Sequence, residues 1–195
     1  DEIVQICREN NILILEDNPY GLLRFDGEPL APLRASHPED VLYLGSFSKI
    51  FAPGMRLGWA LVPRHLFRRF YLACEAVVLC SSPLTQMITA AYLRDFDWMS
   101  RIRDSRRLYA GRCAAMLAAL QDEMPDGVSW TVPDGGFFVW VTLPEGIDTY
   151  PLLAEAIEAG TVFIPGTAFT PGDEPSSRLR LAFSAVSEED IAEGV

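Results

Sequence analysis

An α/β domain followed by a smaller α+β module is the fold class that this sequence predicts, on three observations. Short apolar runs closed by turn residues alternate with helical periodicity in the first half. A long amphipathic stretch follows, and beyond it the pattern changes to short strands around one helix. The expected partition is 1–100 for part of a large α/β domain with a mainly parallel sheet, 101–125 for a connecting helix, and 126–195 for a small α+β domain.

Residues 2–10 place Ile3, Val4, Ile6 and Cys7 among polar positions, which predicts a helix ended by Asn10-Asn11. Ile12-Leu13-Ile14-Leu15 is a continuous apolar run stopped by Glu16-Asp17-Asn18-Pro19, the pattern of a strand buried on both faces of a parallel sheet. Val41-Leu42-Tyr43-Leu44, stopped by Gly45-Ser46, and Trp59-Ala60-Leu61-Val62, stopped by Pro63, repeat it. Helices are expected over 64–79, 83–95 and 98–124. In the last of these Arg101, Arg103, Arg106, Arg107 and Arg112 form a solvated face, while Leu108, Met116, Leu117 and Leu120 supply the apolar one. After Pro125-Asp126-Gly127, strands are expected at 128–132, 137–142, near 162 and at 179–183, with a helix at 150–158 and a loop at 170–177.

Composition narrows the function. Hydrophobic residues at 49% and charged residues at 22% are ordinary for a folded globular chain. A net charge of -11 opposes binding to nucleic acid or anionic membranes. No apolar run approaches the ~20 residues that cross a bilayer, and the opening DEIVQICREN lacks the regions of a signal peptide, so a cytoplasmic protein is expected. Cys7, Cys74, Cys80 and Cys113 show no C-x-x-C spacing and have only His37 and His65 to help them. They read as reduced, mostly buried thiols, and no metal site is expected.

The basic inventory is unusual: of 16 lysines and arginines, only Lys49 is a lysine. A guanidinium stays protonated and delocalised, whereas a desolvated primary amine can condense with an aldehyde. Ligands of open α/β sheets bind outside the carboxyl ends of strands, and two such ends here are rich in polar groups. One gives Asp17-Asn18-Pro19-Tyr20; the other gives Ser46-Phe47-Ser48-Lys49, with Arg56 seven residues on. Pyridoxal 5'-phosphate needs each group offered. Lys49 supplies the amine for the aldehyde, and the Asp17 carboxylate keeps the pyridine nitrogen protonated. Tyr20 donates to the ring hydroxyl oxygen, and Ser46, Ser48 and Arg56 suit the phosphate. Gly45 and Gly54 let the backbone turn close to such a ligand.

Glu16-Asp17-Asn18-Pro19-Tyr20-Gly21, then Tyr43-Leu44-Gly45-Ser46-Phe47-Ser48-Lys49 and Pro53-Gly54-Met55-Arg56-Leu57-Gly58-Trp59, closely resembles the class I/II, fold-type I aminotransferases over the whole length of the chain. Within them it is most similar to the 2-aminoadipate and multi-substrate branch. The resemblance implies Lys49 as the Schiff-base lysine, Asp17 on the pyridine nitrogen, Tyr20 on the ring hydroxyl, and Ser46, Ser48 and Arg56 on the phosphate. Ser177-Arg178-Leu179-Arg180-Leu181-Ala182-Phe183-Ser184 resembles the strand whose arginine grips the substrate α-carboxylate, which implies Arg180 for that role, with Arg178 as the other registration. Gly135-Gly136-Phe137-Phe138 resembles the glycine-rich strand that lines the family's substrate side.

The activity implied is transfer of an amino group from an L-amino acid to a 2-oxo acid by ping-pong kinetics, in a homodimer of the full-length protein. Members of the family are considerably longer and this chain opens inside a helix without Met, so a C-terminal portion of the family's length is expected. Three alternatives stay open: the ligand-sensing domain of a transcriptional regulator, a β-eliminating lyase on the same fold, and a cofactor-binding remnant without activity.

Overall fold

The computed structural model describes residues 2–172 and 174–195; Asp1, and Asp173 in the loop expected at 170–177, lie outside the described residues. Contacts divide the chain into two units, Asp1–Arg103 and Asp104–Val195.

In the first unit α1 (Glu2–Glu9) buries Val4, and Arg8 pairs with Asp40 at 2.7 Å. Three strands follow: β1 (Ile14–Asp17), β2 (Val41–Ser46) and β3 (Gly58–Leu61), in the order β1-β2-β3. β1 and β2 are parallel, with Ile14 opposite Val41 and Asp17 opposite Leu44. β3 runs antiparallel to β2, with Ser46 opposite Gly58, so the sheet is mixed. Between β1 and β2 lies the single turn of α2 (Leu33–Ser36), which the sequence does not announce. The Glu16 carboxylate accepts from the Leu33 and Arg34 amides, both at 3.1 Å, and satisfies donors at the positive end of that turn.

Burial of all three apolar runs on both faces does not hold. Val41 and Leu42 of the central strand are buried, but Leu15 is 58% exposed and Leu61 48%. The reason is position: β1 and β3 are both edge strands of a three-stranded sheet, and only β2 has a neighbour on each side.

α3 (Phe67–Val78), entered through a 3-10 turn at Arg64–Leu66, and α4 (Pro83–Asp95) follow. Ser82 caps α4 by accepting from the Thr85 amide at 3.4 Å, and Pro83 takes the first helical position, where no amide is needed. α5 (Trp98–Glu123) runs through the boundary of the two units. No single helix among the described residues is long and apolar enough to cross a membrane; Arg64–Val78 and Pro83–Asp95 reach that length only as a pair bent by 120°.

The second unit is built on β4 (Ser129–Trp130), β5 (Phe138–Thr142), α6 (Thr149–Glu158), β6 (Ile164–Pro165), β7 (Arg178–Ala182) and α7 (Glu188–Gly194). Its sheet, ordered β4-β5-β7-β6, is antiparallel throughout. Alternation along β5 buries Val139 and Val141, which join Leu179, Phe183, Met116 and Leu120 in the core and leave Phe138 and Trp140 on the other face. Thr149 is fully buried at the start of α6, and its hydroxyl lies 2.8 Å from the carbonyls of both Ser176 and Arg178. α7, also not anticipated, opens on a capping box between Ser187 and Asp190.

Two further expectations are corrected. All four thiols are free, but Cys74 and Cys80 are exposed, because α3 and the turn after it lie at the surface; Cys7 on α1 is half-buried, and only Cys113 is buried. Arg101, Arg103 and Arg107 are exposed as a solvated face requires, whereas Arg112 turns inward and donates to the Ser184 carbonyl at 2.6 Å.

Candidate active site

Strand direction gathers the polar segments of the first unit. β1 and β2, being parallel, end together, and β3, being antiparallel, begins at that same end. The ladder continues past the strands: the Asn18 amide donates to Leu44 at 3.0 Å, and the Phe47 amide to Leu57 at 3.1 Å. Asp17 through Tyr20, Ser46 through Lys49, and Arg56 through Gly58 therefore leave one end of one sheet.

Each residue is held by local chemistry. Ser46 accepts from the Ser48 amide at 3.1 Å, so the two hydroxyl residues form a small turn of their own. The Phe51 and Ala52 amides both donate to the Phe47 carbonyl, at 2.9 and 3.1 Å, and close the turn that carries Lys49 at its exposed middle. Asp17 is exposed at the end of β1, and Tyr20 is half-buried at the entrance of a 3-10 turn, Gly21–Leu23. Arg56 is exposed, and its backbone is left-handed with φ 50° and ψ 40°, unusual for a residue with a side chain. Among the described residues the side chains of Asp17 and Lys49 have no hydrogen-bond or ion-pair partner, and Arg56 makes one long contact, 3.5 Å, to the Pro53 carbonyl.

A cleft of about 220 Å³ adjoins this end of the sheet and is lined by Asn18, Tyr43, Gly45, Ser46 and Trp59, among others. Of the side chains singled out from sequence for a role on the cofactor, only Ser46 lines it; Asp17, Tyr20, Ser48, Lys49 and Arg56 do not. Trp59 and Tyr43 were not foreseen. Their rings lie 5.2 Å apart, and a Cβ on Gly45 would come within 2.3 Å of the indole, so glycine is what lets Trp59 lie across the strand. Burial, reinforced by Glu16, pushes the Tyr43 phenol above its ordinary range, against an opposing hydrogen bond with Asn18. The opposition of Gly45 and Trp59 across β2 and β3 was the signal available, since a strand glycine marks a close approach.

Arg180 belongs to the second unit. On β7 it stands opposite Trp140 of β5 and Ile164 of β6. Its guanidinium carbon lies 4.0 Å from the ring centre of Phe138 and 4.8 Å from that of Phe169, and its Nε is buried without a hydrogen-bond partner among the described residues. Arg178, the other registration, is exposed and stands opposite Thr142.

A carboxylate, a phenol, two hydroxyls, an amine and a guanidinium thus share one sheet end in the first unit. With Asp17 and Lys49 unengaged, that donor set fits a ligand carrying an aldehyde, a ring nitrogen and a phosphate. The model of one protein family, aminotransferase class I and II, matches residues 1–195. Aromatic-amino-acid aminotransferase 1 of Thermococcus litoralis is 43% identical over 194 residues, which are 99% of this chain and 46% of that protein. Among solved structures, the kynurenine aminotransferase of Pyrococcus horikoshii superposes with a TM-score of 0.94 at 38% identity, over 99% of this chain and 48% of its own. LysN, the α-aminoadipate aminotransferase of Thermus thermophilus, solved with N-(5'-phosphopyridoxyl)-L-leucine, gives 0.93 at 33%, over 99% and 50%. The chain spans about half the length of the curated relatives it matches.

Proposed function

Because this chain belongs to the class I and II aminotransferases, we propose that it is the cofactor-anchoring part of an enzyme that moves an amino group from an L-amino acid to a 2-oxo acid with pyridoxal 5'-phosphate. The observation that carries the reading is the shared end of β1, β2 and β3, where Asp17, Ser46, Ser48, Lys49 and Arg56 emerge together. Pyridoxal phosphate, when bound, supplies an electron sink that makes the Cα–H bond of an amino acid acidic.

The residues divide the labour by their chemistry. Lys49 would hold the cofactor through condensation of its amine with the aldehyde, and its Nζ would serve as the base for the substrate Cα proton. Asp17 holds a proton on the ring nitrogen, since an adjacent carboxylate favours the charged form. Tyr20 donates to the ring hydroxyl oxygen. Ser46, Ser48 and Arg56 would hold the phosphate, whose oxygens suit a guanidinium and two hydroxyls. Arg180 pairs with the substrate α-carboxylate and so orients the Cα–H bond.

The decisive measurement is an absorption spectrum of the protein with the cofactor, recorded before and after adding a panel of L-amino acids. The visible band is expected to form and then to change with at least one amino acid. Lys49→Arg should abolish the band, and normal transamination by that variant would refute the assignment. The proposal extends to a homodimeric whole protein in a reducing, cytoplasmic setting, in keeping with four free thiols. Light scattering and cell fractionation test it.

A further inference from the structure

Buried or half-buried arginines are ordinarily held by a carboxylate, and Arg180 is not. Among the described residues it has no acidic partner, and its Nε is buried with no hydrogen bond. What touches it instead are two aromatic rings, Phe138 from β5 at 4.0 Å and Phe169 from the 3-10 turn Gly166–Phe169 at 4.8 Å. The second ring is itself braced: Trp140 meets Phe169 edge-on, with centroids 5.1 Å apart. Register brings this about. Trp140 stands directly opposite Arg180, and alternation along β5 puts Phe138 on the same face.

We infer that Phe138 and Phe169 are positioning residues that hold Arg180 ready for the α-carboxylate of the substrate; the inference rests on the carboxylate-binding role proposed above for Arg180. The physical reason is electrostatic. A carboxylate partner would orient the guanidinium but also neutralise it, and would compete with the incoming anion for the same N–H groups. An aromatic face attracts the cation through its quadrupole and contains no acceptor that can take both N–H groups of the fork. The guanidinium's charge is thereby left uncompensated, its rotamers restrained and its Nε unsatisfied, the state that binds a carboxylate most readily. The arrangement also explains why the buried Nε lacks a partner among the described residues.

The test uses the full-length protein labelled with 15N-arginine and titrated with pyruvate, the smallest 2-oxo acid, which offers a carboxylate and almost no side chain. The Arg180 Nε–H signal, identified by its loss in Arg180→Lys, is expected to shift on titration. Replacing either ring by 3,4,5-trifluorophenylalanine keeps the shape of the side chain and removes the attraction. That substitution should weaken pyruvate about two- to tenfold, the cost of ordering one long side chain on binding, with an unchanged melting midpoint. Phe138→Leu and Phe169→Leu should weaken it at least as much, and Phe169→Tyr should restore it. If, by calorimetric titration, Arg180→Lys abolishes pyruvate binding but the fluorinated and leucine variants bind like the parent, the aromatic positioning is wrong and the role of Arg180 survives. If the Arg180 signal ignores saturating pyruvate in the parent, the carboxylate role fails and takes the positioning role with it.

Discussion

At the scale of single residues, the first unit shows how much depends on the absence of a side chain. Gly45 faces Trp59 across β2 and β3, and the space its Cβ would fill is occupied by the indole at 2.3 Å. Gly45→Ala forces the ring or the strand to move, which typically costs about 1–3 kcal/mol. Urea unfolding should register that loss, and pairing the change with Trp59→Ala should return part of it, since the second substitution removes the clash. That Asp17, Lys49 and Arg56 leave one end of the sheet was legible in the sequence, because a strand end is marked by a change from apolar to polar residues. The aromatic surroundings of Arg180 were not. Phe138, Phe169 and Arg180 come from two strands and a turn, and only the register of β5 against β7 makes them neighbours.

At the scale of elements, periodicity and punctuation carried the long helices and failed on the short ones. The helix expected over 83–95 is α4, because Ser82-Pro83 marks its start in local chemistry. α2 has four residues, too few for any period, and owes its place to the Glu16 carboxylate on a neighbouring strand. α7 carried a readable signal, Ser187 followed three residues later by Asp190, but a single buried side chain, Ile191, gave no apolar stripe to accompany it. Pieces so short are stabilised by specific polar contacts rather than by propensity. The junction of α6, β6 and β7 makes the same point. Thr149 bridges to the carbonyls before and within β7, and the Gly166 amide approaches its hydroxyl at 3.4 Å. Thr149→Val keeps the shape and removes the hydroxyl partner of the Arg178 carbonyl and the Gly166 amide, while the Ser176 carbonyl keeps the Thr149 amide at 2.9 Å, so the second unit should lose about 1 kcal/mol. Denaturant unfolding followed by the intrinsic fluorescence of Trp140 in a variant lacking the other tryptophans would measure it, and an unchanged midpoint would contradict the bridge.

For the molecule as a whole, the first unit exposes more apolar surface than such a sheet usually tolerates. Leu15, Trp59, Leu61, Tyr71, Val77 and Met87 are each at least two-fifths exposed, and among the described residues β1 and β3 leave two unpaired strand edges. A chain that spans about half the length of its relatives is expected to behave accordingly when prepared alone. It should bind the dye ANS in its native state and sediment above the mass of one 195-residue chain at micromolar concentration. A dye-silent monomer would contradict that expectation. One feature of the sheet end reaches further than binding. Arg56 sits in a left-handed backbone that a glycine would occupy without strain, so Arg56→Gly should raise the thermal midpoint, by up to about 1 kcal/mol of stability. The same exchange removes the cation proposed to hold the phosphate. A screen for heat resistance would therefore enrich a variant that melts later and retains its cofactor less, and the order of merit in such a screen would run opposite to the order of usefulness.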